Sequence, residues 1–107
     1  MVMSCSGSLS AYSSFTVNRN LSLNTGTLIL YPVATDYKIT LLGNLVNNSS
    51  YIDNNTSGGG IMLGGTTQQQ ISGTGAFGRL ELNNAAGAIT LYDISLQNDL
   101  VLTTGIL

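Results

Sequence analysis

The feature that most constrains this chain is a short alternation, apolar, other, apolar, that recurs along its whole length. It appears at Phe15-Thr16-Val17, Leu21-Ser22-Leu23, Leu28-Ile29-Leu30, Ile39-Thr40-Leu41, Leu80-Glu81-Leu82, Ile89-Thr90-Leu91, Ile94-Ser95-Leu96 and Leu100-Val101-Leu102. Successive side chains of a strand point to opposite faces, so period two over four to six residues is the mark of a half-buried strand. No window carries apolar residues at helical spacing for long enough to compete, and the chain reads as all-β.

What separates the strands narrows the choice. Hairpin proteins favour two-residue reversals such as Asn-Gly or Asp-Gly, and neither dipeptide occurs here. The breaks are Asn pairs, Asn47-Asn48, Asn54-Asn55 and Asn83-Asn84, and glycines after apolar runs, Gly26, Gly43 and Gly105. Asn tolerates left-handed backbone and bonds its own main chain, which suits corners that bend a chain without reversing it. Corners of this kind, stacked so that Asn side chains bond from rung to rung, belong to a parallel β-helix or β-solenoid. Asn47, Asn48, Asn83 and Asn84 are its expected corners, and Leu21, Leu23, Leu80, Leu82, Ile89, Leu91, Leu100 and Leu102 its expected core.

An internal match points the same way. Residues 15–28, FTVNRNLSLNTGTL, align without gaps on residues 94–107, ISLQNDLVLTTGIL, with Leu21, Leu23, Thr25, Gly26 and Leu28 falling on Leu100, Leu102, Thr104, Gly105 and Leu107. One solenoid coil takes roughly 20 to 30 residues, so an offset of this size predicts a super-repeat of several coils. The expected organisation is an N-terminal extension over 1–14, one super-repeat over 15–93, and the start of a second over 94–107.

Composition removes several functions. Only 7% of the 107 residues are charged, and three Lys/Arg against five Asp/Glu leave a formal charge of −2, too little positive charge to neutralise a phosphate backbone. Nucleic acid is excluded as a partner. With no His and one Cys, imidazole acid–base chemistry, a Cys/His zinc site and an internal disulfide are excluded too. At 43% hydrophobic residues and mean hydropathy +0.26, the chain is too apolar for ordinary disorder. Its longest apolar stretch, about residues 28–34, is interrupted by Pro32 and falls short of the roughly 20 residues that span a bilayer, so no membrane insertion is expected. The opening MVMSCSGSLS has neither the basic nor the apolar region of a signal peptide. An export signal would therefore lie outside these residues.

The run from Gly58 onward, GGGIMLGGTTQQQISGTGAFGRLELNNAAGAITLYDISLQNDLVLTTGIL, resembles repeats of large secreted surface proteins of Bacteroidota. The resemblance rests on Gln70-Ile71-Ser72-Gly73, Phe77, Leu80, Leu82, Asn83, Asn84, Gly87, Thr90, Leu91, Leu100, Leu102, Thr103 and Gly105. It covers residues 58–107 well and 15–48 loosely. What it implies is a β-helix-like, adhesin-type stalk at the cell surface, stacked on further repeats or on other copies and exported by dedicated secretion machinery.

Sites for chemistry are few. Gly73-Thr74-Gly75-Ala76-Phe77-Gly78 fits the dinucleotide fingerprint, but a strand pattern follows where a helix must stand. The glycines at 60–65 with Thr66 lack the Lys of a phosphate loop. The charged candidates of a polysaccharide-cleaving β-helix are Asp36, Lys38, Asp53, Arg79, Glu81, Asp93 and Asp99. Of these, Glu81 and Asp93 would stand at a working separation if they occupied adjacent coils. No cofactor is required by the sequence. Calcium held between coils by Asp53 or Asp93 is the one metal reading it leaves open. Among Tyr12, Tyr31, Tyr37, Tyr51 and Tyr92, the rings of Tyr37, Tyr51 and Tyr92 are candidate glycan contacts. Asn20, Asn47, Asn48, Asn54 and Asn55 each begin N-x-S/T, as an Asn-, Ser- and Thr-rich chain produces by chance. The functional expectation is a structural, extracellular repeat segment, with glycan binding as the alternative and enzymatic cleavage after it.

Overall fold

A computed structural model of the chain describes residues 1–30, 37–49, 51–52 and 59–107, with backbone alone at Cys5, Tyr51 and Ile52. Among the described residues thirteen strands follow in order: β1 (Val2–Ala11), β2 (Phe15–Val17), β3 (Leu21–Leu30), β4 (Lys38–Leu41), β5 (Leu45–Asn47), β6 (Tyr51–Ile52), β7 (Gly60–Leu63), β8 (Gln69–Ser72), β9 (Ala76–Phe77), β10 (Leu80–Asn83), β11 (Ala88–Thr90), β12 (Ser95–Leu96) and β13 (Leu100–Thr104). Every pairing among them is parallel. The chain is a β-solenoid of about four turns. Among the described residues, no helix is long and apolar enough to cross a membrane.

Three faces make up each coil. Face A runs β1-β3-β5-β8-β11, and face B runs β2-β4-β7-β10-β13. Face C takes the second halves of β1 and β3, which turn a corner without breaking, followed by β6 and then by the pair β9 and β12. Down face B, Phe15 stands over Ile39, Ile61, Leu80 and Leu100. The coils are therefore 19 to 24 residues long on that face, close to the lower end of the usual range for repeat units.

Alternation assigns the core. Inward columns of Val17, Leu41, Leu63 and Leu82 on face B, Leu21, Leu45 and Ile71 on face A, and Leu28, Leu30 and Phe77 on face C are all buried. At roughly 1.5–3 kcal/mol for each large side chain removed from water, this continuous column is the main force holding coils together. Leu21, Leu23, Leu80 and Leu82 sit in it as expected.

The other four expected core residues do not. Ile89 is paired with Gln70, in the outward column of face A, so Ala88 and Thr90 take the inward positions. A one-residue change of register turns every side chain to the opposite face, and it leaves Ile89 37% and Leu91 51% exposed. Leu100 and Leu102 do follow Leu80 and Leu82 in the inward columns. They are nevertheless 40% and 55% exposed, because β13 is the last described strand of face B and no described strand lies beneath it.

The boundaries drawn at 14 and 93 also need redrawing. Residues 2–11 form β1, the first strand of faces A and C, and so belong to the solenoid rather than to an extension. The match between 15–28 and 94–107 places Leu21 of face A on Leu100 of face B. Its offset relates similar strands on different faces, and the unit that repeats in space is the single coil.

Candidate functional site

Two places in the molecule depart from the plain stacking of coils. One is a group of charged side chains on the outside of face B. Glu81 lies in the outward column between Met62 and Val101, yet it is buried. Lys38 opens β4, two strands away, and its register partner on the intervening β7 is Gly60. With no side chain at that point, the Lys38 stem crosses the rung and Nζ donates to Glu81 Oε2 at 2.7 Å. Thr103 Oγ1, on β13, donates to Oε1 at 2.9 Å. Arg79 Nη1 donates to the Gly59 carbonyl at 3.0 Å and stands 3.5 Å from Glu81 Oε2. A single carboxylate thus ties together strands β4, β10 and β13.

Its titration follows from these neighbours. Burial acts to raise the Glu81 pKa, but hydrogen bonds from Lys38 and Thr103, with the charges of Lys38 and Arg79, outweigh it and hold the carboxyl below its ordinary value. An ionised carboxylate saturated with donors is a brace. General acid chemistry needs the opposite, a carboxyl with a raised pKa and a second one beside it. Asp93 does not supply that partner: it follows β11 at the corner between faces A and C, in the same coil as Glu81. Asp99 precedes β13 and contributes its carbonyl to Leu80 N. Asp36 and Asp53 lie outside the described residues. Among the described residues no three acidic, His or Cys groups converge on a point that could hold a metal.

The aromatic candidates are scattered. Tyr37 packs against the core, Tyr12 and Tyr92 are exposed, Tyr31 is outside the described residues, and only the backbone of Tyr51 is described. The glycine run at 73–78 is a corner into β9, with Gly73 packed against the coil above, and no helix follows.

The corners hold polar groups that the sequence reading missed. Asn20 Oδ1 accepts from Asn44 N, and Asn44 Oδ1 accepts from Gln70 N, both at 2.9 Å, so one corner is stitched through three coils. Gln69, next to Gln70 at the same corner, is buried, donating Nε2 to the Leu41 and Gly43 carbonyls and accepting at Oε1 from Gly65 N and Asn84 Nδ2. Asn47 is buried and accepts from Ser49 N and Oγ, while Asn48 Oδ1 accepts from Thr74 N. Asn84 closes its own turn by accepting from Ala86 N, and Asn83 ends β10 with its side chain exposed. The signal that could have found Asn20 and Asn44 is that each precedes a Leu opening a face A strand, Leu21 and Leu45, which pair with one another.

The second place comprises the two ends. β1 and β2 form the first rung, and β11, β12 and β13 the last. A strand at the edge of a sheet presents unpaired N–H and C=O groups, and proteins usually blunt such edges with charge, Pro or a covering element. None of these five strands contains a charged residue or a proline. At the last rung Leu91, Leu100, Leu102 and Ile106 are exposed. Beside them is a cavity of about 430 Å³ lined by Gln68, Ala86, Ala88, Ile89, Ile106 and Leu107. At the first rung Met1, Val2 and Leu9 are exposed.

Comparison of the chain with protein-family models, with curated proteins and with solved structures returned no match in any of the three.

Proposed function

We propose that the chain is a structural segment of an extracellular surface protein, a stretch of stalk or filament whose work is to stack coil on coil and hold what it carries at a distance. The observation that carries this reading is the stacking itself: faces A and B each run through five parallel strands, and on face B the inward and outward columns keep one register from coil to coil. In such a ladder each coil contacts only its neighbours, so its length is set by the number of coils and its width stays constant. The grouped charges on face B brace strands against each other, which is what a rod under load requires. The extracellular setting comes from the resemblance of residues 58–107 to Bacteroidota surface repeats.

The test is to join copies of the chain in tandem and image arrays of one, two and four copies by electron microscopy. Strands of a sheet lie about 4.8 Å apart, so five rungs predict a rod that lengthens by roughly 24 Å per copy at constant width. Beads joined by flexible links would contradict the reading. A glycan array that lit up with the single copy, and lost signal in Tyr37→Ala or Tyr92→Ala, would replace it with the glycan-binding one.

A further inference from the structure

We propose that the outer surface of face A, over its interior rungs β3, β5 and β8, is a docking surface for a neutral, extended polysaccharide. The surface runs along the side of the solenoid and involves neither the Tyr rings nor the terminal rungs. It goes beyond the stalk reading and does not depend on it. Charge is the first observation. None of the five strands of face A contains a charged residue. The described charges lie elsewhere: Lys38, Arg79 and Glu81 on face B, Asp93 and Asp99 on either side of β12, and Arg19 at the turn into face A. A surface without cations cannot neutralise phosphate, and one without outward Trp, Tyr or Arg lacks the usual anchors of a protein interface. What it complements is a partner that is itself uncharged.

Order is the second observation. Ser22, Val46 and Ser72 form one outward column, with no shift of register between the three strands. At the corner before them Asn20 Oδ1 accepts from Asn44 N, and Asn44 Oδ1 from Gln70 N. At the corner after them Asn48 Oδ1 accepts from Thr74 N. Side-chain ladders of this kind oppose the natural twist of a sheet and keep its face flat. They also fix the carboxamides. Oδ1 is taken in Asn20, Asn44 and Asn48, whereas no described residue accepts from their Nδ2 groups. Each is a donor held in place before any ligand arrives, so binding costs it little further rotamer entropy.

Together the columns make a grid. Rungs repeat about 4.8 Å apart along the solenoid, and alternate residues about 6.6 Å apart along a strand. The central row, Asn44-Val46-Asn48, sets a carboxamide on either side of one aliphatic side chain, with the Ser22 and Ser72 hydroxyls above and below it. An extended β-linked glucan or chitin chain advances by close to one rung per sugar. Laid along the axis, it sets successive hydroxyls against successive fixed donors, while the C–H face of a ring rests on Val46. Each contact is weak, and affinity accumulates with the number of rungs engaged.

The test is co-sedimentation of the full chain with microcrystalline cellulose and with chitin. The parent should bind at least one of the two, and binding should survive high salt, which screens ion pairs but not contacts between neutral groups. Asn44→Asp and Asn48→Asp keep an oxygen for the Gln70 and Thr74 amides while replacing the free donor with a charged acceptor. The double variant should keep its strand circular dichroism and bind at least tenfold more weakly. Val46→Lys should do the same, whereas Thr40→Lys, at an outward position of face B, should bind like the parent. If the ladder only holds coils together, the double variant binds as the parent does, and that result overturns the proposal. A parent that binds neither solid overturns it too, as does binding abolished by salt or lost in Tyr37→Ala or Tyr92→Ala. None of these outcomes bears on whether tandem arrays lengthen, so failure here leaves the stalk reading to its own test.

Discussion

At Gly73 the spacing between coils leaves no room for a side chain. Its φ is +95°, in the region that L residues rarely adopt, and a Cβ there would run into the Asn47 carbonyl of the coil above. Gly73→Ala should therefore cost more than about 2 kcal/mol, backbone strain and a main-chain clash acting together. Gly7, by contrast, has open space where a Cβ would go, and Gly7→Ala should stay within about 0.5 kcal/mol of the parent. Urea midpoints for the two variants check both. Glu81 supplies a second test of single residues. Its carboxyl is held below the ordinary value of 4.5, so it contributes stability above that pH and loses it as pH falls through the lowered value. Glu81→Gln should cost about 1–2 kcal/mol at pH 7, a modest figure because Lys38 is partly exposed and screened. The gap between parent and variant should narrow below pH 4.5. An unchanged gap at pH 3 would mean that Glu81 is not the ionised centre of the brace. Residue types alone could not show this group, since nothing in the sequence says that Lys38 can cross a rung at Gly60 to reach a strand beyond its neighbour.

Between coils, the elements are held by polar corners as well as by the apolar column. Gln69, itself buried, satisfies two carbonyls and accepts from two donors. Removing one partner from a buried network costs the desolvation of everything it leaves behind. Gln69→Leu, close in size, should destabilise by about 2–4 kcal/mol in urea or thermal unfolding, far more than Gln70→Leu on the exposed side of the same strand. Strand class, parallel stacking and the Asn-rich corners were legible in the sequence because period two and the missing hairpin dipeptides act locally. The register of Ile89-Thr90-Leu91 was not. Residue type alone points both apolar residues inward, whereas Ala88 pairs with the buried Gln69 and takes the inward column, and Ile89 turns to the outside. The match of Leu21 with Leu100 misled for a related reason. Strands of different faces share one pattern, apolar inside and polar outside, so similarity of pattern does not identify the face.

For the whole molecule the central claim is that parallel ladders on faces A and B stack the coils in register. In a parallel strand alternate residues turn their amides to opposite neighbours. The Leu80 amide bonds the Asp99 carbonyl, so within β13 the Val101 amide points back toward β10, while those of Leu100 and Leu102 point away from it. Amide hydrogen exchange read residue by residue on a dilute, monomeric sample tests this directly. The account predicts slow exchange at Val101 and through β7 and β10, which are paired on both sides, with fast exchange at Leu100 and Leu102. Fast exchange through β7 and β10, or protection of Leu100 and Leu102 equal to that of Val101, would contradict the parallel ladder that stacks the coils.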